Sequence, residues 1–182
     1  MLAGIAVQTF LGAIVSLLLL LSGENLRQAI FWLMGHLHTA NWVDIAFTLP
    51  LVLLGFSFLF LFTQDLNALY LGEESAHSLG VNVEQTKRIL LGVSSILTAV
   101  AVSVSGVIGF VGLIIPHIMR ILVGPDHRIL LPTSALAGAI FLVVADTVAR
   151  YGAAEVPVGI VTALVGAPFF IYLLRNKGGP AS

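Results

Sequence analysis

The chain has 182 residues, 58% of them hydrophobic and only 9% charged, where a soluble domain carries roughly 25% charged residues. A mean hydropathy of +1.06 excludes an ordinary soluble domain, and a net charge of −1 offers no electrostatic case for nucleic acid. The absence of cysteine rules out disulfides and thiolate metal sites.

The apolar runs are long and nearly continuous instead of alternating residue by residue, so the expected fold is all-α, a polytopic transmembrane helical bundle and not a barrel. Leu2 to Leu21 is charge-free and long enough for a first crossing. No basic stretch precedes it, so it does not read as a signal peptide. Its abrupt start suggests a piece of a longer polytopic protein.

After a polar break from Ser22 to Asn25, Leu26 to Leu37 is too short and too polar to cross. With Trp32 close to Trp42 it reads as an interfacial helix anchored by aromatic rings. His36 and His38 could hold a metal, but no acid or third histidine lies nearby in sequence, and a surface turn is the plainer reading. No metal and no cofactor are expected.

A second crossing spans Ile45 to Phe62, with Pro50 in its first turns. The longest polar interval of the chain follows, from Gln64 to Arg88. Within it, Glu73 to Gly80 patterns as a short amphipathic helix, its acids in the first turn and Gly80 placed for a left-handed stop. Asn82 and Gln85 then have capping-box spacing, and Glu84 with Arg88 forms a favourable i,i+4 pair.

From Ile89 to Met119 there is no charge at all, a run too long for one straight helix through ~30 Å of hydrocarbon. It must break. Gly106, Gly109 and Gly112 permit backbone closed to other residues and Pro116 removes a donor, which divides the run into a third span, Ile89 to Val104, and a short fourth ending near Val123. Irregular backbone at membrane depth belongs where it is buried in protein or lines a wet cavity, so the break marks either a transport pathway or a kinked packing helix.

Gly124 to Arg128 makes a tight polar turn, and a fifth span runs from Ile129 to about Ala149. Asp146 and Arg150 can pair on its face. After the turn YGAAEVP, a sixth span covers Val158 to Leu174, and the tail carries Arg175 and Lys177. With both ends of the chain in the cytosol, Lys87, Arg88, Arg120, Arg128, Arg175 and Lys177 lie inside while Arg27 and Arg150 lie outside. That distribution obeys the positive-inside rule and the opposite one inverts it.

Four blocks in order, LGEESAHSLGVN, GVIGFVGLIIPHIMRILVGPDHRILLP, ADTVAR and EVPVGIVTALVGAPFFIYLL, resemble the iron-siderophore, haem and vitamin B12 permease family, the membrane subunits of type II ATP-binding-cassette importers. The resemblance extends to essentially the whole chain. It implies that residues 1–182 form one transmembrane permease domain, the C-terminal portion of a protein of about ten spans, with a short periplasmic interfacial helix and short cytosolic coupling helices. It implies an ATPase-coupling role for Gly72, Glu73, Glu74, Ala76, Leu79 and Gly80, which fall on the family's coupling motif. It also implies that Gly106, Gly109, Phe110, Gly112 and Pro116 line or gate the pathway near a dimer axis, and that Arg150 meets a periplasmic or lipoprotein substrate-binding protein. His117 and Arg120 are expected as structural residues at the cytosolic boundary.

The implied partners are cytosolic ATPase subunits, a second permease copy and membrane lipid; the implied cargo is an iron chelate, haem or vitamin B12, crossing the inner membrane of a bacterium. A transporter driven by an ion gradient is the alternative, although such proteins need a membrane-buried carboxylate and Asp146 sits near a span end. An intramembrane enzyme lacks its motifs, since neither HExxH nor GxSxG occurs.

Overall fold

The structure, a computed structural model, describes residues 2–23, 26–38, 40–151 and 156–177. Part of the Ser22 to Asn25 break, most of the YGAAEVP turn and the end of the tail lie outside the described residues. The helices are α1 (Leu2–Leu21), α2 (Leu26–Leu33), α3 (Trp42–Leu61), α4 (Thr63–Tyr70), α5 (Glu73–Ser78), α6 (Val83–Ser105), α7 (Val111–Val123), α8 (His127–Arg150) and α9 (Val158–Lys177). Among the described residues, four helices are long and apolar enough to cross a membrane: α1, α3, α6 and α8. The other two apolar helices, α7 and residues Val158–Ile171 of α9, are shorter.

Local chemistry explains the boundaries. Asp44 in the first turn of α3 accepts the Asn41 backbone N–H at 3.0 Å, which starts the helix at Trp42, ahead of the sequence reading. The chain bends at Phe62 and continues as α4, where the Thr63 hydroxyl donates back to the Phe60 carbonyl at 2.9 Å. Asn82 Oδ1 accepts the Gln85 N–H at 3.2 Å and caps α6. From there α6 runs unbroken for 23 residues, roughly 34 Å at 1.5 Å per residue, so the polar stretch before Ile89 is the foot of the third span and not a separate helix.

Helix α7 has 13 residues and extends only about 20 Å. The non-helical 106–110 segment precedes it. Helix α7 packs most extensively on α8, α3 on α6, and α9 on α8 and α7. Ile114, Ile115, Leu130, Ala145, Val158 and Thr162 are buried where α7, α8 and α9 meet. The outward faces are apolar: Leu51 and Leu54 of α3, Ile96 of α6, and Ile140 and Val143 of α8 are all exposed. Surfaces of this kind suit lipid or neighbouring helices, not water.

Candidate functional site at the two ends of the bundle and the break between them

Helix α5 is closed at both ends by glycine. Gly72, at φ 113°, supplies the carbonyl that accepts the Ala76 N–H at 3.0 Å. At the far end Gly80 takes φ 86°, its N–H donates to the His77 carbonyl and the Val81 N–H donates to the Ala76 carbonyl, both at 3.0 Å. This is the Schellman arrangement, and it fixes α5 as a rigid short body despite its six residues. Glu73 and Glu74 stand in its first turn, Ala76 is fully buried, and Gly72, Leu79 and Gly80 are exposed. Glu73 is paired with Lys87 on α6. Arg88 donates to Glu84 at 2.6 Å along α6.

Behind α5, helix α4 meets the turn between α7 and α8. Asn67 Nδ2 donates to Asp126 Oδ1 at 2.7 Å, and Asn67 Oδ1 accepts the His127 backbone N–H at 2.9 Å and stands 2.7 Å from His127 Nδ1. One turn on, Tyr70 lies under the Arg120 guanidinium, 5.8 Å from ring centroid to Cζ, and edge-on to His127. Asp126 also caps α8 by accepting the Arg128 N–H at 3.0 Å. That backbone donor, then the Asn67 amide and the charges of Arg128 and His127, hold the Asp126 carboxyl below the ordinary carboxylate range.

The glycine break serves two purposes. Gly106 is buried at φ 67°, ψ −163°, and a Cβ there would stand 2.2 Å from the Trp32 carbonyl oxygen. The preceding carbonyl, Ser105, accepts the His36 N–H at 2.8 Å, so the end of α6 is satisfied by the segment after α2. Gly109 and Gly112, in contrast, face open space. Phe110 has φ 67° without being glycine, a strained position, and its side chain lies over Gly166, where a Cβ would meet Phe110 Cβ at 2.4 Å. Pro116 inside α7 withdraws the N–H that would otherwise bond the Gly112 carbonyl.

Two apolar grooves flank the break. One, of about 510 Å³, is lined by Leu33, Met34, Val107, Ile160 and Ala163. The other, of about 400 Å³, is lined by Leu97, Ala101, Ser105, Gly112 and Leu142. His117 packs edge-on against Phe169 of α9, 6.4 Å between centroids, one turn before Arg120 turns out to Tyr70. Among the described residues no group of three or more histidines and acids could hold a metal.

Arg150 lies at the opposite end of α8 from His127, 24 residues apart inclusive, or roughly 36 Å. Its Nε donates to Asp146 at 2.8 Å while the side chain stays half exposed, so pairing and presentation are compatible. Together they line a pocket of about 170 Å³ with His36, His38 and Pro157. The two histidine rings are 5.1 Å apart.

The structure therefore separates the sequence-derived candidates into three places: Gly72 to Gly80 with Arg120 at one end, Gly106 to Pro116 with His117 along the span, and Arg150 at the other end. Asn67, Tyr70, Asp126 and His127 were not singled out by sequence. Asn67 and Tyr70 share the i,i+3 spacing of one helical face, but that signal appears only once α4 is recognised as a helix.

Comparison with known proteins bears on this arrangement. The pattern of the FecCD transport family matches residues 1–176. The chain is 58% identical over 177 residues to the cobalamin import system permease protein BtuC of Halobacterium salinarum, covering 97% of this chain and 48% of that protein. It is 48% identical over 184 residues to the hemin transport system permease protein HmuU of Yersinia pestis, covering 97% and 54% respectively. Among solved structures, a metal-chelate type ABC transporter in an inward-facing conformation aligns with a TM-score of 0.83 and 42% identity, over 96% of this chain and 58% of that one. The chain thus spans about half the length of the curated relatives it matches. With its break, its rigid polar hairpin and its apolar helices all inside the matched region, the chain belongs to the FecCD transport family.

Proposed function

We propose that this chain forms membrane-crossing helices of a permease subunit in an ATP-binding-cassette importer, passing an iron chelate, haem or vitamin B12 inward across the cytoplasmic membrane. Residues 1–182 act as one transmembrane unit. The chain hydrolyses nothing; separate cytosolic ATPase subunits engage α5 through Gly72, Glu73, Glu74, Leu79 and Gly80, with Ala76 seating the helix on the protein beneath. Two permease copies flank a central channel, and the 106–112 segment with Phe110 and Pro116 lines or gates it. Arg150 meets a substrate-binding protein on the far side, where a charged rim contact guides docking and register more than affinity. Membrane lipid covers the remaining apolar faces.

The observation that carries this reading is the glycine-closed α5 held at one end of the bundle and joined through α4 to the turn beside the broken α7. A short rigid body can transmit displacement that a mobile loop would absorb. The orientation is supported by charge: Lys87, Arg88, Arg120 and Arg128 gather with α5 at one end and Arg150 stands at the other, so the positive-inside rule assigns α5 and the termini to the cytosol. An ion-gradient-driven transporter is less well supported, because Asp146 is already neutralised by Arg150.

The test is co-purification of an ABC ATPase with the permease from membranes, followed by Gly80→Pro. Proline cannot adopt φ 86° and lacks the N–H given to His77. The variant is expected to insert into the membrane normally but to lose substrate-stimulated ATP hydrolysis by at least about tenfold, the scale of a coupling free energy. Unchanged stimulation would overturn the assignment of α5.

A further inference from the structure

Building on that reading, we infer that Asn67, supported by Tyr70, is a positioning clamp that locks the α4–α5 projection to the α7–α8 turn, so that displacement of α5 is delivered to the glycine-broken limb and not to α6.

The amide of Asn67 is used at both ends. Its Nδ2 donates to Asp126 Oδ1 and its Oδ1 accepts the His127 N–H. The orientation is fixed by the network, because a backbone N–H can only donate and a flipped amide would set donor against donor. The same carbonyl oxygen faces His127 Nδ1 at 2.7 Å, so that ring nitrogen carries the proton. No other side chain of this length supplies a donor to a carboxylate and an acceptor to two N–H groups at once. Aspartate in its place would point a second carboxylate at Asp126.

Asp126 Oδ1 simultaneously caps α8 through the Arg128 N–H. Pulling α4 away therefore disturbs the first turn of α8 as well as the clamp. Tyr70, on the same face of α4 as Asn67, adds contact with Arg120 of α7 and the His127 ring. One turn of α4 thus grips the last turn of α7 and the first turn of α8 together. Besides the short connection from α5 into α6, the ion pair from the projection to α6 among the described residues is Lys87–Glu73, whose side chains are 45% and 69% exposed. Exposed pairs of long side chains hold geometry weakly.

The clamp is tested in the assembled importer, with its ATPase and a reconstituted membrane, by the number of substrate molecules moved per ATP hydrolysed. Asn67→Ala and Asn67→Asp are expected to lower that ratio about 5-fold or more, the lower end of ordinary coupling, with ATPase association retained. Lys87→Ala is expected to leave it within about 2-fold. Asp126→Asn keeps an oxygen acceptor for both Asn67 and Arg128 but removes the charge that strengthens both bonds, and is expected to lower the ratio by less than Asn67→Ala does, which separates a positioning role from simple misfolding. An unaltered ratio in Asn67→Ala, or a loss in Lys87→Ala with none in Asn67→Ala, overturns the clamp.

A second measurement does not depend on the ATPase. The chain contains no cysteine, so spin labels at Glu74→Cys and Leu122→Cys, in labelled protein diluted with unlabelled permease, report the α5 to α7 distance within one copy. A narrow distribution that broadens with Asn67→Ala supports the clamp, and one unchanged by the substitution contradicts it. If no ATPase associates with the wild-type permease, the importer reading fails while this distance measurement still decides the clamp.

Discussion

At the scale of single residues, the break in the long apolar run separates glycines that look alike in sequence. Gly106 combines a backbone conformation open essentially only to glycine with a Trp32 carbonyl lying where a Cβ would be, at 2.2 Å. Gly109 has neither a positive φ nor a close neighbour. Gly106→Ala is therefore expected to destabilise the folded protein by at least about 2 kcal/mol, and Gly109→Ala by less than about 1 kcal/mol; thermal unfolding in one detergent compares them. Equal effects would mean that the break is not anchored at Gly106. The spacing of Gly106, Gly109, Gly112 and Pro116 sufficed to locate the interruption. It could not reveal which glycine is a packing contact, because the partner, Trp32, is distant in sequence and backbone carbonyls leave no residue signature. Phe110 was legible as part of the motif, but its positive φ and its seat on Gly166 belong to tertiary packing.

At the scale of elements, ends decide what the helices can do. Helix α5 was readable from its first-turn acids and Gly80, because capping is local chemistry. Helix α4 was not: TQDLNALY is polar, short and continuous with a transmembrane helix, and it is held by residues 59 and 60 positions away. The α7–α8 turn gives the element-level prediction. The Asp126 carboxyl titrates below its ordinary range because its ionised form caps α8 and accepts from Asn67. Its contribution is accordingly present above the ordinary carboxylate pKa of about 4 and is lost as pH falls through the depressed folded-state value. Acidification below about pH 4 is expected to widen the α5 to α7 distance distribution in wild type and to have less effect in Asp126→Asn. Widening of equal size in both proteins would place the acid-sensitive group elsewhere.

At the scale of the whole molecule, composition and run length were enough to give an all-helical membrane protein, and charge placement is the basis of the direction proposed for it. The grouping of the site was only half legible. The polar hairpin and the glycine break each carry a local pattern, yet their mechanical connection through Asn67 and Asp126 is a long-range pairing without periodicity. The account rests on the hairpin facing the cell interior, with Arg150 at the other end of α8. Cysteine labelling with a membrane-impermeant reagent tests this most directly, since residues 1–182 contribute no background thiol. Exposed positions at the two ends, Glu74→Cys on α5 and Tyr151→Cys after α8, are compared in intact and permeabilised cells. The expected result is labelling of Tyr151→Cys in intact cells and of Glu74→Cys only after permeabilisation; labelling of Glu74→Cys from outside intact cells would contradict it.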